Sequence, residues 1–292
     1  MESKVYFTKD ISCAGLKKVY DALGINLNGK LAVKVHSGEK GNQNFLRPEF
    51  SKDFIKSLNG TIVECNTAYA GARNTTEKHR QLLSEHGWSK YFDVDIMDAD
   101  GDIELKIDGG KIITTNYVGK NLPKYDSLLV LSHFKGHPMG GFGGTLKQLS
   151  IGCASTAGKC WIHSAGVCKD QYKLWDHVAK QDDFVDAMAE AASSVHKMFE
   201  GKVAYINVMC NISVDCDCCA KAEDPCISDI GILASTDPIA IDQACIDLVF
   251  NTNDPGRDHF VERVESRHGR RILDTAQKLG FGTKNYKLIN IN

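Results

Sequence analysis

The residues best suited to chemistry are four cysteines within eleven positions. They are Cys216, Cys218, Cys219 and Cys226. Thiols packed this densely, in a chain without a secretory signature, bind a soft metal or carry out redox chemistry more often than they form disulfides. Thiolate sulfur selects zinc, copper(I) or iron–sulfur clusters over magnesium or calcium. Because the spacing matches no standard zinc or ferredoxin pattern, an iron–sulfur cluster, a zinc ion and a set of buried inert thiols all stay open.

The order of these cysteines predicts which of them can act together. Along an extended backbone Cys216 and Cys218 share one face, whereas the adjacent Cys219 points to another. Cys226 follows the turn at 224–225. We therefore predict metal ligation by Cys216, Cys218 and Cys226, with Cys219 as a further candidate ligand and a residue from another loop as an alternative to Cys226.

A second candidate region is the glycine-rich loop at 132–147, which follows the apolar run 127–132. Its reactive side chains are two histidines and two lysines, namely His133, Lys135, His137 and Lys147. We predict that the histidines act as acid–base groups or metal ligands and that the lysines hold an anion or polarise a carbonyl. The alternative is a glycine-rich connection without a chemical role.

The glycines of this loop predict close approach of the backbone to a ligand. Gly143 and Gly144 are the candidate substrate-binding positions, because glycine adopts positive φ and has no side chain to obstruct a ligand. Two phosphate-binding patterns fail here. A Walker loop needs a glycine directly before Lys147, and the dinucleotide fingerprint needs a glycine at the position of Leu146.

A third region supplies candidate anion-binding groups after two other predicted strands. Arg73 and Asn66 follow the strand predicted at 61–65, and His36 follows the one at 31–35. Arg73 with the start of the next helix could bind a carboxylate or phosphate. The helix start at Thr76 could equally be a simple cap.

Strands and helices alternate along the chain, and this alternation predicts the frame that positions the three regions. Apolar β-branched runs alternate with helical patterns such as the one at 238–250, and a last helix is expected over 259–279. Alternation of this kind favours an α/β fold with mixed or parallel sheets and flanking helices. We expect a single domain over 1–292, with two lobes around a central cleft and a boundary near 165–180.

Composition narrows the classes of function. The chain has 292 residues, a formal net charge of -2 and 42% hydrophobic residues, which is an ordinary globular composition without a field that attracts nucleic acid. No apolar run approaches the roughly 18 residues of a membrane span. A cytoplasmic protein is expected. The basic run at 263–271 is interpreted as a solvated helix face, with an anion site as the alternative.

Several long motifs resemble the DUF362 family. They are VKVHSGE at 33–39, CNTAYAGAR at 65–73, SHFKGH at 132–137, GFGGTLK at 141–147, DIGILASTDPIAID at 229–242 and LGFG at 279–282. The resemblance implies an iron–sulfur association, which many members have. This chain lacks the ferredoxin-type insertion that usually follows the position of His163 and Ser164, so any cluster must use the region of Cys216. The loop from His133 to Gly152 is also similar to one in lactate racemase-type proteins, where a lysine anchors a nickel cofactor between two lobes.

Two main hypotheses of function follow. The first is an iron–sulfur or other thiolate-metal protein, an oxidoreductase or electron-transfer protein in an oxygen-poor setting that acts on a small anionic substrate. The second is a non-redox isomerase or lyase that uses His133 and Lys147. A protein that holds a metal or cofactor for delivery is a third. The sequence neither supports nor excludes a flavin. Expected partners are a small molecule, a redox protein and a second copy of the chain, but no nucleic acid and no membrane.

Overall fold

A large mixed sheet forms the centre of the protein. The computed structural model describes residues 2–292, so Met1 lies outside it. Within these residues, eight strands form the central sheet and four others form two small hairpins. The strands are β1 (Ser3–Thr8), β2 (Leu31–Lys34), β3 (Thr61–Glu64), β4 (Val94–Ile96), β5 (Asp102–Lys106), β6 (Thr115–Gly119), β7 (Ser127–His133), β8 (Lys135–His137), β9 (Gly141–Gly143), β10 (Val203–Met209), β11 (Gly231–Ser235) and β12 (Tyr286–Asn290).

Helices connect and cover the strands. They are α1 (Cys13–Ala22), α2 (Pro48–Ser57), α3 (Thr76–Glu85), α4 (Trp88–Tyr91), α5 (Thr145–Lys147), α6 (Thr156–His163), α7 (Gln181–Met198), α8 (Pro238–Phe250), α9 (Arg257–Ser266) and α10 (Arg271–Leu279). A π-type turn over Gln148–Gly152 continues α5, and short 3₁₀ turns occur at Leu122–Lys124 and Leu174–Asp176. No helix within residues 2–292 has the length and apolar character needed to cross a membrane.

The strand order brings β10, β7, β2 and β3 next to one another. The order is β12-β1-β11-β10-β7-β2-β3-β4. All neighbours from β10 to β4 are parallel, and β11 is antiparallel to both β1 and β10. The predicted α/β fold with flanking helices is confirmed. The division into two lobes near 165–180 stays a prediction.

The sheet is buried on both faces. Along β7, Leu128 and Val130 pack into one hydrophobic cluster with α7 and α8, whereas Leu129 and Leu131 pack into the other with α1 and α2. This alternation follows from the two-residue period of a strand. Because both faces are covered, only the ends of the strands offer a place for a site.

Capping side chains explain where several helices begin. Ser12 and Thr75 cap α1 and α3 through their hydroxyl groups, and Asp237 caps α8 ahead of Pro238. The prediction of one last helix over 259–279 is wrong. Two helices occupy this stretch, because Gly269 donates its N–H to the Val264 carbonyl over 2.8 Å and the chain turns at His268, where φ is +50°.

Candidate functional site

The candidate site lies at the carboxyl edge of the parallel strands. The chain leaves β2, β3 and β7 at Lys34, Glu64 and His133, and it leaves β10 at Met209. These strands are neighbours in the sheet. The connections that follow them therefore meet above one edge, which is where open α/β sheets bind ligands. The segment 210–226, which carries the cysteines, is the connection that leaves β10.

Three side chains form what we call the thiol cluster: His137, Cys216 and Cys218. One donor atom from each lies within 4.8 Å of the other two. Cys216 is fully buried, and the Cys218 Sγ lies 3.9 Å from the His137 Nε2. Two sulfurs and one imidazole nitrogen are the donors that zinc and other soft metals prefer.

The other two cysteines of the run have different positions. Cys219 lies beside the thiol cluster, and a hydrogen bond with Cys218 lowers the pKa of its thiol. Cys226 is half-buried, and its Sγ faces the Ile212 carbonyl at 3.5 Å. The structure therefore brings Cys216, Cys218 and Cys219 together and leaves Cys226 outside this group.

His137 has a defined tautomer. Its Nδ1 accepts hydrogen bonds from the backbone N–H groups of Gly140 at 2.8 Å and Met139 at 3.2 Å. Burial lowers the pKa of His137 well below its ordinary value. A neutral ring that accepts at Nδ1 carries its proton on Nε2. His137 therefore presents an N–H to the Cys218 sulfur.

Lys147 adds a positive charge next to the thiol cluster. Its Nζ lies 3.4 Å from the Cys216 Sγ. Burial would lower the pKa of Lys147, but the neighbouring Cys216 and Cys218 raise it. Burial also raises the pKa of the Cys216 thiol well above its ordinary value, although the charge of Lys147 opposes this effect. Burial therefore opposes charge on both groups, whereas the attraction between ammonium and thiolate favours it, and metal binding would release any proton that the Cys216 thiol holds.

A separate group, which we call the Asp217 cluster, holds the cysteine segment in place. The Asp217 carboxylate lies 2.9 Å from His133 Nδ1 and 2.8 Å from Lys135 Nζ. The other ring nitrogen of His133 lies 2.6 Å from the Cys210 carbonyl oxygen. Both ring nitrogens of His133 therefore lie next to acceptor oxygens. Burial would raise the pKa of Asp217, but the charges of His133 and Lys135 hold it below its ordinary value.

The thiol cluster opens onto a cavity of about 240 Å³. This is below the roughly 300 Å³ at which drug-sized pockets begin, so the cavity suits a small metabolite. Four cationic side chains and one carboxylate line it, namely Lys34, Arg73, Lys147, Lys159 and Glu64. Leu174 and the largely exposed Trp175 form part of its wall. The surplus of positive charge favours an anionic ligand.

Two of the cationic groups in the cavity are already neutralised. Lys34 pairs with Glu64 at 2.6 Å, and Arg73 pairs with Glu39 at 3.2 Å. Burial would raise the pKa of Glu64, but Lys34 and other nearby cations lower it to about 2. These buried pairs connect the ends of β2 and β3.

Some of the other residues predicted from the sequence line the cavity, and others lie outside it. Arg73, His36, His137 and Lys147 line the cavity, whereas His133 and Lys135 belong to the Asp217 cluster instead. Asn66 lies elsewhere, between Thr76 and His79. A Cβ at Gly144 would meet the Asp242 carboxylate at 2.5 Å, and one at Gly143 would meet Lys147 at 3.2 Å. Both glycines therefore allow close packing of buried side chains.

The sequence prediction did not include Lys159 and His163. Both lie on α6 and line the cavity. The only signal was the pattern of Gly152–Lys159, which resembles a Walker loop with one residue too many. That pattern does not show that α6 packs beside the cysteine segment.

Fold and site together define a mixed α/β protein with a Cys/His cluster that is compatible with metal binding. The profile of DUF362, described as a domain of unknown function, matches residues 31–247. The chain belongs to the DUF362 family. No curated protein is similar enough in sequence to count as a match.

Two solved structures are similar in outline. A protein from Thermotoga maritima has 11% sequence identity and a TM-score of 0.47, with 93% of this chain and 59% of that chain covered. The lactate racemase apoprotein from Thermoanaerobacterium thermosaccharolyticum has 14% identity and a TM-score of 0.39, with 71% and 51% covered. The chain thus spans between half and three-fifths of the length of these structures.

Proposed function

We propose that the protein binds a soft metal through Cys216 and Cys218 and uses the adjacent cavity to bind a small anionic substrate. The observation that carries the proposal is that both sulfurs and one ring nitrogen of His137 lie within 4.8 Å of one another, and that Cys218 and His137 line a cavity with several cationic side chains. Isolated buried thiols would not need to converge, nor would Cys218 need to line a cavity with Lys147 and Arg73.

The spacing of the donor atoms suits a single ion. Zinc–sulfur bonds of about 2.3 Å in a tetrahedron separate two sulfurs by roughly 3.8 Å. The two sulfurs therefore need only small movements to bind one ion, whereas His137 would also have to give up its Nε2 proton to become a ligand. Cys219 is a candidate third thiolate because it lies beside Cys218 and its pKa is lowered.

The iron–sulfur and redox functions stay predictions within this proposal. A cluster of four irons takes four cysteine ligands. Cys216, Cys218 and Cys219 could supply three, and Cys226 would have to leave the Ile212 carbonyl to supply the fourth. Iron would support electron transfer with a partner protein, whereas zinc would act as a Lewis acid on the bound anion.

Metal and sulfide analysis after oxygen-free purification tests the proposal. We expect about one equivalent of zinc, or iron together with acid-labile sulfide, in the wild-type protein. Cys216→Ser and Cys218→Ser should each lose most of the metal. Cys13→Ser is the matched control, because Cys13 lies on α1, away from the thiol cluster. A folded wild-type protein without any metal would contradict the proposal.

A second candidate is a metal-free isomerase or lyase that uses His137 and Lys147. The observation that favours it is the tautomer of His137. A metal-bound histidine usually donates from its second nitrogen, whereas Nδ1 of His137 accepts from two backbone N–H groups. A neutral imidazole that donates from Nε2 can polarise a substrate carbonyl. Turnover of a small hydroxy or keto acid that survives chelation and Cys216→Ser would favour this candidate, and turnover lost with the metal would exclude it.

A further inference from the structure

Four lysines are almost completely buried at the carboxyl edge of the sheet, and they fall into two pairs. Lys34 and Lys135 each contact a carboxylate, Glu64 at 2.6 Å and Asp217 at 2.8 Å. Lys147 and Lys159 take part in none of the ion pairs formed between residues 2–292. Both of these lysines line the cavity. Half of the buried amines are therefore neutralised within the fold, and the other half face the space where a ligand would bind.

Within the part of the chain that the structure describes, Lys159 has no thiol or carboxylate within hydrogen-bond distance of its amine. Its side chain is about 7% exposed, and its Nζ donates to the Ala154 carbonyl oxygen at 2.6 Å. An ammonium group has three donors, and this is its one hydrogen bond within residues 2–292. Burial lowers the pKa of Lys159 below its ordinary value. A buried charge without a counter-ion is unfavourable unless an anion is supplied from outside.

The bond to Ala154 does not by itself explain a lysine at this position. Ser155 already caps α6 through the N–H of Gly158, so the start of the helix is satisfied without the amine. A methionine would fill the same space without a charge. His163, one turn further along α6, also lines the cavity and donates from Nδ1 to the Lys159 carbonyl oxygen at 2.7 Å. Lys159 therefore lies on a fixed helical wall with its amine available to the cavity.

We infer that the cavity binds a small dianion, such as a short dicarboxylate, with one anionic group at Lys159 and the other at Lys147. This inference takes the substrate cavity from the proposed function, but it does not require a metal. Two unneutralised amines in one cavity of about 240 Å³ match two negative charges on one small molecule. Lys34 and Arg73 are less available because Glu64 and Glu39 already neutralise them.

Calorimetric titration with oxalate, malonate, succinate and glutarate tests the inference, with acetate, propionate, butyrate and valerate as the matched monoanions. We expect the best dicarboxylate to bind at least about tenfold more tightly than its monocarboxylate counterpart, because its second carboxylate adds a charged hydrogen bond to a buried amine. Lys159→Met should remove this advantage, and Lys173→Met at an exposed lysine should preserve it. Equal binding of monoanions and dianions, or an unchanged Lys159→Met, would overturn the inference.

The dependence of dicarboxylate affinity on alkaline pH tests whether the Lys159 amine contacts the ligand, because a purely structural role of Lys159 would not change it. Because burial lowers the pKa of Lys159, wild-type affinity for the dicarboxylate should fall as the pH rises, and Lys159→Arg should keep its affinity to higher pH. The titratable groups that act on the amine are Lys34, Glu64, Cys65, His79, Asp98 and His163. They are common to both proteins, so a difference between the two pH profiles reports on position 159, and identical profiles would overturn the inference.

The Cys216→Ser protein separates this inference from the metal proposal. Dicarboxylate binding should persist within about threefold in that variant if the anion is held mainly by the two amines. A wild-type protein that carries no metal but binds the dicarboxylate would overturn only the metal proposal. Metal binding without any preference for dianions, in either protein, would overturn only the inference about the ligand.

Discussion

Adjacent residues of one short segment serve two different regions of the molecule. Asp217 points into the Asp217 cluster, where His133 and Lys135 contact its carboxylate. Cys216 and Cys218, on either side of it, point into the thiol cluster with His137. The charges of the first cluster are paired within the fold, whereas the second faces a cavity beside an amine without a carboxylate partner. Under the proposed function, the Asp217 cluster supports the segment and the thiol cluster holds the metal.

The difference also separates residues that look alike in the sequence. Lys135 and Lys147 belong to the same glycine-rich loop, as do His133 and His137. In each pair, one member contacts the Asp217 carboxylate and the other lines the cavity. Residue type and spacing alone do not distinguish a supporting group from a reacting one.

The largest effect is expected for Asp217→Asn. The change leaves Lys135 and His133 buried without their carboxylate, and breaking a buried pair typically costs about 3–5 kcal/mol of unfolding free energy. Urea unfolding measures the loss. Asp258→Asn at an exposed carboxylate is the control and should change the free energy by less than about 0.5 kcal/mol. A change equally small at Asp217 would show that its cluster does not support the segment.

Low pH should reduce the free energy of unfolding, because protonation of Glu64 removes its ion pair with Lys34. The unfolded chain binds a proton on this carboxyl below about pH 4.5, whereas the folded protein resists protonation until about pH 2. The contribution of Glu64 is therefore present above pH 4.5 and lost as the pH falls towards 2, by about 3 kcal/mol in total. Unfolding free energies between pH 7 and 3 should show about 2 kcal/mol of this loss.

The matched variant for this prediction is Glu64→Gln. It should be less stable at pH 7, because Lys34 loses its counter-ion, but its stability should depend less on pH in the acid range. Parallel pH profiles for the variant and the wild type would contradict the assignment to Glu64.

A smaller effect, of opposite sign, is expected for Lys159→Met. Removal of a buried amine that has no carboxylate partner should raise the unfolding free energy by about 1 kcal/mol, because the fold then no longer holds an uncompensated charge. Chemical denaturation of the ligand-free protein measures the gain. A loss of more than about 2 kcal/mol would instead assign Lys159 to the support of the fold.

Most of the fold could be predicted from the sequence because local patterns determine it. The helix predicted at 238–250 has the observed bounds, since Asp237 and Pro238 define its start. The structure brings Cys216 and Cys218 together, but not through the extended backbone that the prediction assumed, because Cys219 donates its N–H to the Cys216 carbonyl in a turn. The last helix was predicted wrongly because a glycine-containing turn interrupts an otherwise continuous helical pattern at 267–270.

The site could be predicted only in part because burial and pairing are tertiary properties. Nothing in the sequence shows that Asp217 neutralises Lys135 while Lys147 is without a carboxylate. Lys159 becomes a candidate only when α6 is seen to line the same cavity as the cysteines. The position of Cys226 depends likewise on the path of the chain between 210 and 226.

The most direct test of the thiol cluster is an oxygen-free titration of the metal-free protein with cobalt(II), followed by the thiolate-to-cobalt charge-transfer absorption. We predict saturation at about one ion per chain, loss of the absorption in both Cys216→Ser and Cys218→Ser, and its retention in Cys13→Ser. The same charge-transfer absorption in wild type and in both cluster variants, or no such absorption in the wild type, would contradict a metal site at these sulfurs.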